Sequence, residues 1–215
     1  MTDDISFSED GGLATITLDR PKALNALTHD MVRALTPKLD GWEEDDGIKA
    51  ILIKGAGEKA FCAGGDVRAV WYSMMRATDG GGYSYQGASE LSRGFFLDEY
   101  RLNHDIHALS KPYIALIDGV TMGGGVGLSI HGSHRVATER LMFAMPESAI
   151  GLFPDVGGGW FLPRLPGETG MYLALTGARL GAAGALALGV ATHMVPTGRL
   201  EAFEAALTAE LAATT

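Results

Sequence analysis

KAILIKG (Lys49–Gly55) is a short apolar run closed by glycine, and the same shape returns in PYIALIDG (Pro112–Gly119). A run this short, with polar residues confined to its ends, reads as a strand buried on both faces. Each is followed by a glycine-containing loop and a helix-like segment: DVRAVWYSMM after the first, GGVGLSIHG after the second. Strands buried on both faces need covering helices. The recurring strand–loop–helix unit therefore predicts a single α/β domain with central strands and outer helices. It is a repeat of shape, without a fixed sequence period.

The remaining segments fit this frame. GLATITLD (Gly12–Asp19) alternates apolar and polar residues as a half-buried strand does, and ISFSEDGG before it predicts a hairpin turning at Asp10-Gly11. Thr28 is a helix N-cap candidate with Asp30 in the first turn, and Pro37 predicts a break or kink in the helix that follows. RATDGGGYSYQG is polar and glycine-rich and reads as a mobile surface loop. After it, Phe95, Leu97, Tyr100, Leu102, Ile106 and Leu109 recur at helical spacing. HRVAT and LMFAM read as short strands, with helices expected around ETGMYLALTG, GAAGALALG and RLEAFEAALTAELAA.

Composition excludes several functions. A net charge of -9 leaves no basic stripe for nucleic acid. No apolar run reaches membrane-spanning length, and the acidic start MTDDISFSEDGG lacks a signal-peptide layout. The one cysteine, Cys62, rules out an internal disulfide framework and fits a reducing, cytoplasmic location. The six histidines show no metal-ligand spacing, so no metal is expected.

The chemistry concentrates in glycine loops and in acids. FCAGGD and GVTMGGGVG place glycines where a strand ends and a helix begins, and two backbone N–H groups converging there would form an oxyanion hole. Ordinary turn glycines are the competing reading of either motif alone. In MPESAIGLFPDVGGGW, Glu147 and Asp155 stand among Ala149, Ile150, Leu152 and Phe153, an unusually apolar setting for two carboxylates. Glu147 could instead sit on a surface turn, and Asp155 could cap the helix suggested by VGGGWFLPRL. Glu99, in FFLDEY, is open between a solvated helix face and a ligand contact.

RPKALNAL, KAFCAGGDVRAV, GVTMGGGVGLSIHG, FAMPESAIGLFPDVGGGWFLPRL and LALTGARL with GVATHMV occur in this order over nearly the whole chain. Together they resemble the crotonase (enoyl-CoA hydratase/isomerase) superfamily, and within it the 3-hydroxyisobutyryl-CoA hydrolase branch. The resemblance implies a spiral of repeated ββα units, a crotonase-like acyl-CoA-binding core over 1–196, and a C-terminal helix over 197–215 that begins a shortened helical region. It implies acyl-CoA as substrate, no separate cofactor, and a homo-oligomer. Carried onto matching positions, Gly65 and Gly124 would donate the oxyanion N–H groups. Lys22, Ala23 and Leu24 would lie along the CoA adenine and phosphates, and Ala63, Gly64, Asp66 and Val67 would frame the pantetheine. Asp66 has an equal reading as the cap of the helix starting at Val67.

Hydratases of this superfamily use two glutamates, and Gly127 stands here in the first slot. The hydrolase branch resembles this sequence in that glycine, in Glu147 as base or nucleophile, in Asp155, and in Glu99 as an acyl contact. The expectation is therefore hydrolysis of a short 3-hydroxyacyl-CoA thioester, in valine breakdown. A hydratase or isomerase working with one carboxylate, and an inactive CoA-binding or assembly module, are the alternatives.

Overall fold

The computed structural model describes residues 2–79 and 81–213. Gly80 of the glycine-rich segment and the last two residues of the C-terminal segment, like Met1, lie outside them. A hairpin of β1 (Ile5–Asp10) and β2 (Leu13–Leu18) leads to α1 (His29–Glu44). Next come β3 (Ala50–Gly55), β4 (Ala60–Cys62) and α2 (Val67–Met74), extended by β5 (Met75–Ala77), β6 (Tyr83–Tyr85) and the long α3 (Glu90–Ala108). The third unit is β7 (Tyr113–Ile117), β8 (Val120–Met122) and α4 (Gly124–Ile130). The fourth is β9 (His134–Ala137), β10 (Met142–Ala144) and the one-turn α5 (Gly158–Phe161). The chain then runs through α6 (Thr169–Thr176), α7 (Ala182–Ala187), β11 (His193–Met194) and α8 (Leu200–Ala213).

In the first unit β1 and β2 pair with each other, and in each later unit the two strands go to different sheets. The hairpin, the first strands of the later units and β11 build a six-stranded sheet in the order β1-β2-β3-β7-β9-β11, in which only the β1–β2 pair is antiparallel. The second strands build a parallel sheet, β10-β8-β4. The stretches following KAILIKG and PYIALIDG thus each carry a further short strand, and the unit is ββα. Along β3, Ile51 and Ile53 join the main core, whereas Ala50 and Leu52 face the other side. There they meet Leu200, Phe203, Leu207 and Leu211 of α8. Burial on both faces explains why these strands show no polar alternation.

Two local expectations change. Helix α1 runs without interruption through Pro37, which sits on its exposed side. A mid-helix proline costs about 3 kcal/mol. Burial of Met31, Val32, Leu35, Leu39 and Trp42, at roughly 1.5–3 kcal/mol for each large apolar side chain, outweighs it. The segment read as a mobile loop forms the antiparallel β5–β6 pair instead. Tyr83 packs edge-on against Trp71 and Tyr72 of α2, with ring centroids 5.2 and 6.0 Å apart. The Thr28 cap is formed as expected, its hydroxyl accepting the Met31 N–H at 3.2 Å.

Candidate active site

The glycine loops after β4 and β8 lie side by side. Gly64 has φ 109° and Gly123 φ 48°, conformations that favour glycine. A Cβ built on Gly124 would fall 3.1 Å from the Gly65 nitrogen and 3.2 Å from Leu27 Cδ1, so the two glycines face each other at close range. The neighbouring amides are engaged: Leu27 N–H donates to the Gly64 carbonyl and Asp66 N–H to the Leu27 carbonyl, both at 2.8 Å. The N–H groups of Gly65 and Gly124 donate to no acceptor among the described residues. Two unspent donors beside one cavity match the requirement for holding a developing oxyanion.

Three acids converge on this gap. Helix α3 turns Glu99 inward, where it is 2% exposed, and the solvated-face reading does not hold. Its Oε1 lies against Gly124, in the space a Cβ there would take, and has no hydrogen-bond partner among the described residues. Glu147 begins a one-turn 3-10 helix and is 5% exposed, so it is not on a surface turn. Its Oε1 sits 3.1 Å from where a Cβ of Gly123 would be, and its Oε2 is also unpartnered. Asp155 is 9% exposed and accepts a hydrogen bond from the Tyr100 hydroxyl at 2.7 Å. Its carboxylate does not cap α5, whose N-cap is Gly157; only its backbone carbonyl serves that turn, accepting from Gly158 N–H at 2.6 Å.

Burial without a neighbouring cation sets the protonation states. Desolvation, then the charges of Asp155 and Glu147, push Glu99 up to about 8. Desolvation is also the main cause that brings Glu147 up to about 7, with Asp155 adding to it against an opposing backbone hydrogen bond. Asp155 is raised by burial as well, and the Tyr100 hydrogen bond works against that rise. Near neutrality Glu99 is mainly a hydrogen-bond donor, and Glu147 is poised to take or give a proton.

The eight residues Ala63, Gly64, Gly65, Val67, Glu99, Gly124, Glu147 and Asp155 line one cavity of about 270 Å³, closed by the apolar Val70, Phe95, Phe96, Ile150 and Leu152. Asp66 is not among them. It caps α2, accepting from Ala69 N–H at 3.2 Å, and is bound by Arg20 Nη2 at 3.1 Å. Lys22 and Leu24 line an adjacent cleft with Lys59 and Asn25; Ala23 lies between them in the turn Pro21–Ala23 without lining it. That cleft is tied to the glycine loop, since Ala63 N–H donates to the Leu24 carbonyl at 3.0 Å. Cys62 is buried behind the loop, and desolvation pushes its thiol up to about 12, which makes it inert.

Position 127 is crowded. A Cβ on Gly127 would lie 2.8 Å from Val156 Cβ and 2.9 Å from both polar atoms of the Asn103 carboxamide. Val156 itself holds φ 43°, rare for a β-branched residue and costing about 1–3 kcal/mol. His131 Nε2–H fixes that turn by donating to the Val156 carbonyl at 2.8 Å. Tyr100, Asn103 and His131 were not candidates from the sequence. The partners of Tyr100 and His131 lie 55 and 25 residues away, and the Asn103 carboxamide has none among the described residues, so no local motif signals them.

The family model described as enoyl-CoA hydratase/isomerase matches residues 13–214. Over 201 residues the chain is 53% identical to the 3-hydroxyisobutyryl-CoA hydrolase, mitochondrial, of Gallus gallus, covering 94% of this chain and 49% of that protein. For the protein of the same name from Homo sapiens the figures are 50% over 202 residues, 94% and 50%. The chain thus spans about half the length of the curated relatives it matches. Among solved structures, a carnitinyl-CoA dehydratase from Mycobacterium thermoresistibile superposes with a TM-score of 0.89 at 43% identity, over 99% of this chain and 59% of that one. An enoyl-CoA hydratase from Rhodobacter sphaeroides 2.4.1 gives 0.87 at 40%, over 97% and 59%. The curated relatives are named mitochondrial, a compartment other than the cytoplasm that composition suggested. Among the described residues, no helix is long and apolar enough to cross a membrane.

Proposed function

The chain belongs to the enoyl-CoA hydratase/isomerase family, and from that premise we propose that it hydrolyses the thioester of a short 3-hydroxyacyl-CoA, of the 3-hydroxyisobutyryl-CoA type, in valine breakdown. The observation that carries this reading is a single cavity lined by Gly65, Gly124, Glu147 and Asp155, with no room for a second glutamate at Gly127. In the reaction the thioester oxygen accepts from the Gly65 and Gly124 N–H groups. A water oxygen bonds to the carbonyl carbon while Glu147 takes one of its protons. Collapse of the tetrahedral intermediate breaks the C–S bond, the thiolate recovers the proton held by Glu147, and the acid loses its remaining proton to solvent. If Glu147 attacks first as nucleophile, the same water cleaves the resulting anhydride and the balance is unchanged.

Asp155, steadied by Tyr100, orients the water. Protonated Glu99 donates a hydrogen bond to the acyl hydroxyl. The cleft with Lys22 and Lys59 receives the CoA phosphates, and acyl-CoA is the partner with no resident cofactor. Exposed Met171, Tyr172 and Leu175 of α6 supply apolar surface for a homo-oligomer.

The names of the solved relatives favour a second reading, hydration or isomerisation with Glu147 as the sole proton carrier. One assay separates the two: free thiol from 3-hydroxyisobutyryl-CoA, followed beside loss of crotonyl-CoA absorbance. Thiol release that falls about 10²–10⁴-fold in Glu147→Gln is the expected result. Loss of crotonyl absorbance without thiol release replaces hydrolase by hydratase. Silence in both with retained CoA binding leaves a binding module.

A further inference from the structure

A second cavity, of about 330 Å³, neighbours the carboxylate pocket, lined by Tyr100, Asn103, His104, His107, His131, Gly157 and Trp160. The two share their walls. On α3, Glu99 lines the front cavity, whereas Tyr100 and Asn103 line the rear one. In the following turn, Asp155 lines the front and Gly157 the rear. The Tyr100–Asp155 hydrogen bond joins a residue of the rear lining to one of the front, and so lies in the partition between them.

Asn103 stands at this partition, 5% exposed, with neither the oxygen nor the nitrogen of its carboxamide bonded to any described residue. Leaving a buried polar group unsatisfied costs roughly 1–3 kcal/mol, and both atoms are spared that cost only if water reaches them. The rear cavity opens to solvent beside the exposed His104 and Trp160. When acyl-CoA fills the front cavity between Val67, Phe96, Ile150 and Leu152, its own bulk closes the front approach to solvent. Hydrolysis nevertheless consumes one water per turnover.

We propose that the hydrolytic water reaches the carboxylates from the rear, through the histidine-lined cavity, with Asn103 as the positioning residue that receives it and the Tyr100–Asp155 pair as the gate it passes. This rests on the hydrolase reading above. Gly127 has a part in it, because any side chain there displaces the Asn103 carboxamide. His131, pushed down by burial and donating through Nε2 to Val156, stays neutral and holds the gate's turn in place.

The test combines a high-resolution crystal structure of the chain with kinetics of Asn103→Leu, Asn103→Ser and His104→Trp. Ordered water bonded to the Asn103 carboxamide is expected. Asn103→Leu, which dries the partition, lowers kcat for thiol release by about 10–100-fold. KM, and the Kd of a CoA thioether that cannot be hydrolysed, stay within about twofold. Asn103→Ser, which keeps a hydroxyl and admits one more water, recovers most of kcat, a rescue that a packing role would not produce. His104→Trp, a change at an exposed site that leaves the core alone, plugs the mouth and lowers kcat in the same way, so the test stands if Asn103→Leu does not fold. A dry rear cavity, or full kcat in both Asn103→Leu and His104→Trp with an active unmodified chain, overturns the water route alone. An unmodified chain that releases no thiol overturns the hydrolase reading and the route with it.

Discussion

Two sets of acids in this molecule, the half-buried Asp118 and the buried Glu99, Glu147 and Asp155, are handled in opposite ways. Asp118, at the end of β7, is clasped by Arg140, whose Nε lies 2.9 Å away, and by the Thr138 hydroxyl at 2.5 Å. Glu99, Glu147 and Asp155 form no ion pair among the described residues, and Glu99 and Glu147 each leave an oxygen without a partner. The same chain can therefore neutralise an acid where one serves the fold. Where it leaves three unpaired beside two free amide donors, the cost in stability marks chemistry.

The contrast can be broken at several points. Gly124→Ala should have the largest effect. Its Cβ displaces the Glu99 carboxyl and crowds Gly65 N, and thiol release should fall by about 10²–10³-fold, mainly in kcat. Glu99→Gln should come next, read as stability against pH. Glu99 and Glu147 titrate in the fold at about 8 and about 7, both above the ordinary 4.5. Their contribution is therefore fully present below pH 4.5 and is lost as pH rises through 7 and 8. Urea midpoints of the unmodified chain should fall across that window, and Glu99→Gln should flatten the slope and be the more stable protein at pH 9.

Arg140→Leu tests the other set. It should cost about 1–3 kcal/mol in urea unfolding by stranding Asp118, yet leave kcat per folded molecule unchanged. A loss of kcat there would erase the distinction between structural and functional acids. Thr28→Ala, which removes the α1 cap and touches neither set of carboxylates, should cost about 1 kcal/mol in the same measurement and is the smallest change.

Much of this arrangement was legible beforehand, for local reasons. Apolar runs bounded by glycine marked β3 and β7 because burial on both faces removes alternation. Glu147 and Asp155 stood out because carboxylates among apolar residues are rare. Glu99 did not, since a helical acid between Asp98 and Arg101 looks solvated until the packing of α3 against the glycine loops turns it inward. Asp66 kept both of its readings until the Ala69 N–H and Arg20 were seen to occupy its oxygens. The second, three-residue strands were missed because they are too short to show a period.

The chain by itself determined its recurring strand–loop–helix units, its glycine loops and the apolar setting of Glu147 and Asp155, because periodicity and backbone freedom are written residue by residue. Only the tertiary structure decided that Tyr100 would meet Asp155, that Asn103 would occupy the space before Gly127, and that two cavities would be lined by neighbouring residues of the same helix and turn. Those contacts join residues from separate units. They exist only once the units stack, and no stretch of sequence carries the stacking on its own.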